Sequence, residues 1–543
     1  MNYVWITARF FIIGLIVTAT VLSMGSMRPN SNLDEMRVEL QENDLSGDKV
    51  GKAEDLVKHW VEESGKPDFV LFISGRQHGY IEPCGCITLE RQKGGLMRRH
   101  SVQKVLNARG WETVSIDAGN QIRRVGNQPE IKLRRTYEAL CSAKNMDYDV
   151  IGIGPDDLKL PAIELGQAMN NNSSMEKNPF TCANVQVIGE EIQNTFRIIE
   201  RNNKKIGVTM VLGNEHLAAA KQPLVTTSSV EESLVPVIAQ MEKAGCDLKV
   251  LVAFSSLNEC RKLAQKFPFD VLVTAGGAGD PTLHPEVIES KDKKHTTSMI
   301  QVGVKGMYVG LVGFYSKGLA KPTIKYERVE LDHRYEDSEE IKQVFKAYQA
   351  ELKDRWLSNT LDEIRPRKHP SGHTFVGSDT CNDCHDEEYE IWLDGVDGNG
   401  GPHAEATKDL RENPNDNRVW VQRHYDPECM SCHAVGWNPQ NYFPYESGLL
   451  DVEKDTHLHE NGCENCHGPG SAHVAMQKLA DKGKLKPADE DLRKQFKNEM
   501  IVTLQQSRDG ACKECHDLDN SPDFLLEGGF DKYWPKIKHG GDE

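Results

Sequence analysis

Short apolar runs recur along the middle of the chain. Phe69-Val70-Leu71-Phe72-Ile73 comes first. Thr113–Ile116, Val150–Ile153, Ile206–Val211, Val250–Phe254 and Val271–Val273 follow. Continuous runs of this length predict strands buried on both faces. Between several of them the spacing turns helical, at Leu96–Ala108, Leu133–Lys144 and Ser229–Ala244. Strands alternating with helices predict a layered α/β domain over residues 67–335. Its closing portion, Ser298–Glu330, reads as β-hairpin material. Glu336–Leu357 has the pattern of a charged amphipathic helix. Pro366, Pro370 and Gly372 then mark a linker, so residues 336–375 form helix and linker. The rest, 376–543, is a separate module.

The first residues carry a different pattern. Val4–Leu22 is apolar apart from Thr7, Arg9, Thr18 and Thr20. The uninterrupted run after Arg9 is short against the about 20 residues a membrane span needs. With Ser23 and Gly25 behind it, residues 1–25 read as a signal peptide cleaved near Gly25. An uncleaved N-terminal anchor is the alternative. Residues 26–66 are polar and read as a linker ending in a helix, Ala53–Glu63. On either reading the remainder lies on the oxidising side of a membrane, periplasmic or at the cell surface.

Length and charge narrow the picture. A chain of 543 residues is too long for one core and suggests roughly three to four domains. A formal charge of −17 argues against nucleic acid as partner. It favours a redox partner protein with a basic patch, or a cationic surface.

The chemistry sits in the last third, where one pentamer is written four times. Cys381-Asn382-Asp383-Cys384-His385 is the first copy. Cys429-Met430-Ser431-Cys432-His433, Cys463-Glu464-Asn465-Cys466-His467 and Cys512-Lys513-Glu514-Cys515-His516 complete the set. C-x-x-C-H is the attachment signature of c-type haem. Its thiols add across the porphyrin vinyl groups, and the next-door His reaches the iron. Chance at this composition yields about a hundredth of one copy. Paired C-x-x-C zinc sites explain neither the constant adjacent His nor the wide gaps. Four covalently attached haem c groups are expected, with His385, His433, His467 and His516 as proximal ligands and no second metal. His403, His424, His457, His459, His473 and His539 are the residues able to supply a sixth ligand.

Six cysteines remain: Cys84, Cys86, Cys141, Cys182, Cys246 and Cys260. In an oxidising compartment structural disulfides are their expected state, with pairing open. Cys84-Gly85-Cys86 is too short a loop for an internal bridge, which leaves metal binding or thiol exchange as its alternatives.

The stretch from Val376 to His539 resembles the tetrahaem cytochrome c-554 family, electron carriers that accept from hydroxylamine oxidoreductase in ammonia oxidisers. The resemblance rests on Gly377, Trp392, Pro402-His403-Ala404-Glu405-Ala406, Cys432-His433-Ala434-Val435-Gly436, and Gly462–Gly470 followed by His473. It implies a mostly helical, loop-rich scaffold in which the haems themselves are the core. It also implies that His403 and His473 are distal ligands, with His539 a further candidate. One haem of that family is five-coordinate, and motif order places it at His433. The Gly395–Gly401 insertion and the long Trp437–Gly462 segment depart from the family pattern.

Residues 69–330 resemble the calcineurin-like metallophosphoesterases, in their secreted 5′-nucleotidase branch. The carriers are Ser74–Gly79, Gly94–Arg99, Asp117-Ala118-Gly119-Asn120, Tyr148–Gly154, Cys182–Val185 and Phe269–Val273. That family's two-metal chemistry needs a carboxylate or imidazole at each strand end. Here D-x-H has become Arg76-Gln77-His78, and D-A-G-D ends in Asn120. G-N-H-E has become Gly154-Pro155-Asp156-Asp157, the strand-end His is replaced around Ser255-Ser256, and G-H-x-H has become Ala275–Ala278. Only His78 stays in place, so a pseudoenzyme domain is expected. The Gly94-Gly95 loop with Arg98 and Arg99 reads either as an anion site or as a turn before a surface helix.

These readings favour an exported multihaem electron carrier with a phosphoesterase-like domain as docking or binding scaffold. No catalytic residue is assigned. A haem enzyme acting on a small nitrogen or oxygen species at an open iron is the first alternative. A metal-dependent nucleotidase with accessory haems is the second.

Overall fold

The structure is a computed structural model. It describes residues 53–82, 92–123, 128–174, 177–189, 191–218, 220–361, 364–396, 398, 401, 403–412, 420–517 and 520–539. The signal peptide or anchor and the Cys84-Gly85-Cys86 loop lie outside these residues. Among the described residues no helix is long and apolar enough to cross a membrane.

Helix α1 (Lys58–Ser64) opens the described chain. It overlaps the expected helix Ala53–Glu63 and is packed rather than free: Trp60 is 1% exposed and stacks on Trp111 with ring centroids 6.5 Å apart. The first strands and helices follow as β1 (Phe69–Ser74), α2 (Leu96–Ala108), β2 (Thr113–Asp117), α3 (Pro129–Cys141), β3 (Val150–Ile151) and α4 (Ala162–Asn171). Then come β4 (Val185–Val187), β5 (Phe196–Arg201), β6 (Lys204–Leu212), β7 (Val225–Thr227), α5 (Val230–Lys243), β8 (Leu248–Phe254) and α6 (Leu257–Lys266). The domain closes with β9 (Val271–Thr274), β10 (Glu286–Glu289), β11 (Thr296–Gln301), β12 (Tyr308–Tyr315) and β13 (Thr323–Glu330).

Two mixed sheets result, ordered β13-β12-β1-β2-β3 and β10-β11-β9-β8-β6-β5. Every residue of β1 is buried, because it lies between β12 and β2 with side chains packed on both faces. The chain just past β3 packs tightly on β6 at Gly152, where a Cβ would sit 1.8 Å from Met210 Sδ. β12 and β13 form the expected antiparallel hairpin. Ser298–Gln301 lies outside that hairpin: it belongs to β11, which pairs antiparallel with β10 and parallel with β9 in the second sheet.

Helix α7 (Glu339–Leu357) is capped by Ser338, whose side chain accepts from Ile341 N–H. It buries Ile341, Val344, Phe345, Tyr348, Leu352 and Trp356, far more than a helix leading into a free linker would. The supposed linker beyond it is also engaged: Arg367 N–H donates to Pro444 O, and its guanidinium lies 3.9 Å from the Phe443 ring centroid.

Four remaining cysteines are described outside the motifs, and all are free thiols, correcting the disulfide expectation for them. Cys260 spends its thiol on Thr274 Oγ1 and Cys182 is buried beside Asn184.

Candidate functional site

Each C-x-x-C-H motif falls on a helical turn. The first spans α8 (Ser378–Asn382) and the start of α9 (Asp386–Asp394). The others lie on α10 (Pro427–His433), α11 (Cys463–His467) and α14 (Cys512–Cys515), with α12 (Ser471–Asp481) and α13 (Glu490–Glu499) between the last two. On a helix, positions i, i+3 and i+4 share one face, so both thiols and the His present to the same side.

The proximal imidazoles are oriented from behind. His433 Nδ1–H donates to Ala406 O and His467 Nδ1–H to Met500 O, each at 2.6 Å. His516 Nδ1 bonds Ser521 Oγ at 2.8 Å, and His385 Nδ1 lies 3.8 Å from the Glu388 carboxylate. A bond at Nδ1 fixes the tautomer and turns the Nε2 lone pair outward, as a metal ligand requires.

Three of these imidazoles face a second one. His385 and His473 have ring centroids 6.4 Å apart, His403 and His516 6.1 Å, and His467 and His539 5.8 Å. Two imidazoles on one metal, each bonded at about 2 Å, have centroids roughly 6 Å apart. A direct stack would bring them closer. Burial favours the neutral form of four of these rings: it holds His403 down to about 4 and His467, His473 and His516 below the usual range. A neutral imidazole is the ligating form. The residues thus fit iron held between paired imidazoles, with thiols beside each pair.

The other three sixth-ligand candidates are placed elsewhere. His424 is 7% exposed and packs on the Tyr425 ring at 4.5 Å. His459 Nε2 bonds Val452 O. His457 lies against Gly377.

Thiol positions give the order of the motifs in space. Cys381 and Cys463 interact by hydrogen bond, as do Cys432 and Cys515, and Cys466 sits near Cys512. The order is first, third, fourth, second. Glu464, inside the third motif and 2% exposed, ties it to the first by accepting from Val376, Gly377 and Gly470 N–H. Its tie is invisible in the sequence, where it is only a variable motif position. The carbonyls of Ala406 and Met500 carry no sequence signal at all.

The second motif is bolted to the α/β domain. Trp356 of α7 stacks on Trp437 at 5.4 Å and donates from Nε1 to Leu450 O. Gln349 donates to Asp426, the cap of α10, and Lys132 of α3 pairs with Glu428. Met430, Ala434, Val435, Leu449 and Leu458 join the core of the α/β domain. Around this motif, side chains build a core where the resemblance implies haem alone.

At the strand ends of the α/β domain the loops are held by side chains of the chain itself. Arg76, His78 and Asn120 hold φ of 53°, 56° and 63°. Arg76 Nη1 donates to Gly277 O and so crosses from the β1 end to the β9 end. Asn120 donates to Asp156 at 2.7 Å. Asp157 accepts Asn120, Gly154 and Ile122 N–H. His78 is held down to about 4 by burial, then by Arg76 and Arg123. Among the described residues no group of three or more His, Cys, Asp or Glu converges as metal ligands would. Arg98 and Arg99 correct both readings offered for their loop: they are 2% and 0% exposed, Arg98 donating to Gln92 O and Arg99 pairing with Asp117 and Gln77.

Residues 380–468 match the family described as cytochrome c554 and c-prime. Cytochrome c-554 of Nitrosomonas europaea is 28% identical over 103 residues, 18% of this chain. The chain spans 39% of that protein's length. Among solved structures, the 5′-nucleotidase precursor of Thermus thermophilus is similar with a TM-score of 0.45 at 16% identity, over 53% of this chain and 59% of that one. Haemophilus influenzae NAD nucleotidase gives 0.43 at 14% identity, over 63% of this chain and 67% of that one. The cytochrome match over residues 380–468 and the paired imidazoles point to one cofactor, covalently bound haem c.

Proposed function

We propose that this chain is an exported tetrahaem cytochrome that transfers electrons, with its α/β domain serving as a non-catalytic scaffold. The three imidazole pairs carry the reading. Bound haem c supplies one-electron chemistry at its iron. The eight motif cysteines, Cys381, Cys384, Cys429, Cys432, Cys463, Cys466, Cys512 and Cys515, anchor it. His385 with His473, His516 with His403, and His467 with His539 would each hold an iron as a pair, an arrangement that suits electron transfer rather than substrate binding. The motif order first, third, fourth, second supplies a continuous path. Attachment of haem outside the cytoplasm supports a periplasmic or cell-surface location. The charge of −17 supports a redox partner with a basic patch.

The nucleotidase reading is disfavoured by Arg76 and Asn120, which put a cation and an amide where anionic ligands are needed. A second reading, small-molecule chemistry at the second motif, draws on the family resemblance. All three expected distal imidazoles are engaged with the first, third and fourth motifs. Spin-state spectroscopy on the holoprotein separates the two. Three low-spin irons and one high-spin iron that binds carbon monoxide when reduced are expected. A wholly low-spin spectrum indifferent to carbon monoxide removes the second reading. An intact mass with fewer than four haems overturns the tetrahaem assignment.

A further inference from the structure

At the seam between α7 and the haem module lies a cavity of about 580 Å³. Lys353, Arg411, Gln422, His424, Glu453 and Glu460 are among its walls. No part of the electron-transfer reading uses it.

His424 is the telling wall. It is 7% exposed, and among the described residues its Nδ1 has no hydrogen-bond partner. A buried polar nitrogen left unmatched is destabilising, so it calls for a partner entering from the cavity. Burial, then Arg411, then Lys353 hold its pKa down, against a raising backbone bond to Leu410. The same order of causes places two cations closer in effect than the carboxylate of Glu453.

Those cations are loosely committed. Lys353 lies over the Tyr425 ring, 5.3 Å from its centroid. Arg411 reaches Glu453 at 3.5 Å, and the Glu453 side chain is 61% exposed. An ion pair of that length and exposure contributes little. Glu460 is spent differently: its carboxylate accepts Thr407 N–H at 2.6 Å. The cavity therefore presents a guanidinium fork and two ammonium groups beside the imidazole, with Glu453 weakly held and Glu412 a further carboxylate in its lining.

We propose that Lys353 and Arg411, beside His424, bind a multiply charged oxyanion of the phosphate or sulfate type, free or borne on a small polar molecule. The guanidinium fork matches two such oxygens, and the ammonium supplies further donors. The volume exceeds one oxyanion and falls within the range of small-molecule sites, and the remaining walls, Thr407, Lys408, Glu412, Gln422 and His459, are polar or charged. The position matters for redox chemistry. Thr407 borders the cavity and donates to His433 O, while Ala406 next to it accepts from His433 Nδ1. A bound anion lies one residue away from the proximal ligand of the second motif.

Calorimetric titration of the full-length holoprotein tests this, with inorganic phosphate, inorganic sulfate and glycerol 3-phosphate as separate probes. At least one probe is expected to bind at millimolar concentration or below. Arg411→Gln and Lys353→Gln should each weaken it about tenfold or more, the loss of one charge-assisted contact. Glu453→Gln should tighten it by freeing Arg411. Binding of glycerol 3-phosphate alone assigns the ester-borne source, and binding of the inorganic ions assigns the free one. An unchanged haem absorption spectrum certifies the fold of each variant. No heat with any probe, or equal affinity in wild type and both cation variants, overturns the proposal. Neither result depends on the number or spin state of the haems.

Discussion

In the α/β domain all of β1 is buried, and Trp60 and Gly152 fit against neighbours with no room to spare. In the haem module, α12 and α13 bury no side chain, and three imidazole pairs stand about 6 Å apart. The first region is held by contacts between its own side chains. The second is shaped around something that side chains do not supply. The stretch from Val421 to Leu458 belongs with the first in kind, since Met430, Val435 and Trp437 extend the same core. The boundary between the two ways of building runs through the haem module, after the second motif.

The sharpest way to break this contrast is to deny the third motif its cofactor. In Cys463→Ser/Cys466→Ser, residues after about 461 should be cleaved by protease roughly tenfold faster or more, while the preceding part survives. Mass spectrometry of the fragments reads the outcome. Uniform degradation of the chain would dissolve the contrast.

Trp60→Ala should act on the other side. Deleting a fully buried indole costs about 3–5 kcal/mol. Denaturant unfolding followed by far-ultraviolet dichroism should register it, with the haem spectrum unchanged at low denaturant. A loss of haem signal in step with it would mean that the regions unfold as one.

Trp356→Phe probes the join. It removes the Nε1–H bond to Leu450 O and part of the stack on Trp437. The expected loss is about 1–2 kcal/mol. Separation of one unfolding transition into two would locate the coupling there.

The smallest effect concerns the Lys104–Glu340 pair linking α2 to α7. The Lys104 ammonium holds the Glu340 carboxyl down to about 2. A depressed folded-state value gives stability that is present above the unfolded value, about 4.3, and is lost as pH falls toward 2. The pair is well exposed, so screening limits it to about 0.2–1 kcal/mol. Glu340→Gln should flatten the acid limb of the stability curve by that amount, and added salt should shrink the difference. An unaltered acid limb would remove the pair from the account.

Much of this was legible in the chain. The helix read at Leu96–Ala108 has those bounds, because apolar spacing and a preceding Gly95 are local signals. The strand runs are equally local. What the sequence hides is pairing across distance. Nothing in Thr296–Gln301 says that it runs beside β9. Arg99 reads as a surface charge until Asp117 of β2 is found beside it. The cysteine motifs announce their thiols and proximal histidines by spacing alone. The pairing of His385 with His473 spans intervening helices and has no periodicity to betray it. The Lys353–Arg411–His424 group draws on two regions and three separate stretches, so no local pattern marks it.

Arg76 has a consequence for how this protein is made. Its guanidinium spans the loops after β1 and β9 with a bond to Gly277 O. That clasp arrives with translation and asks nothing of the surrounding fluid.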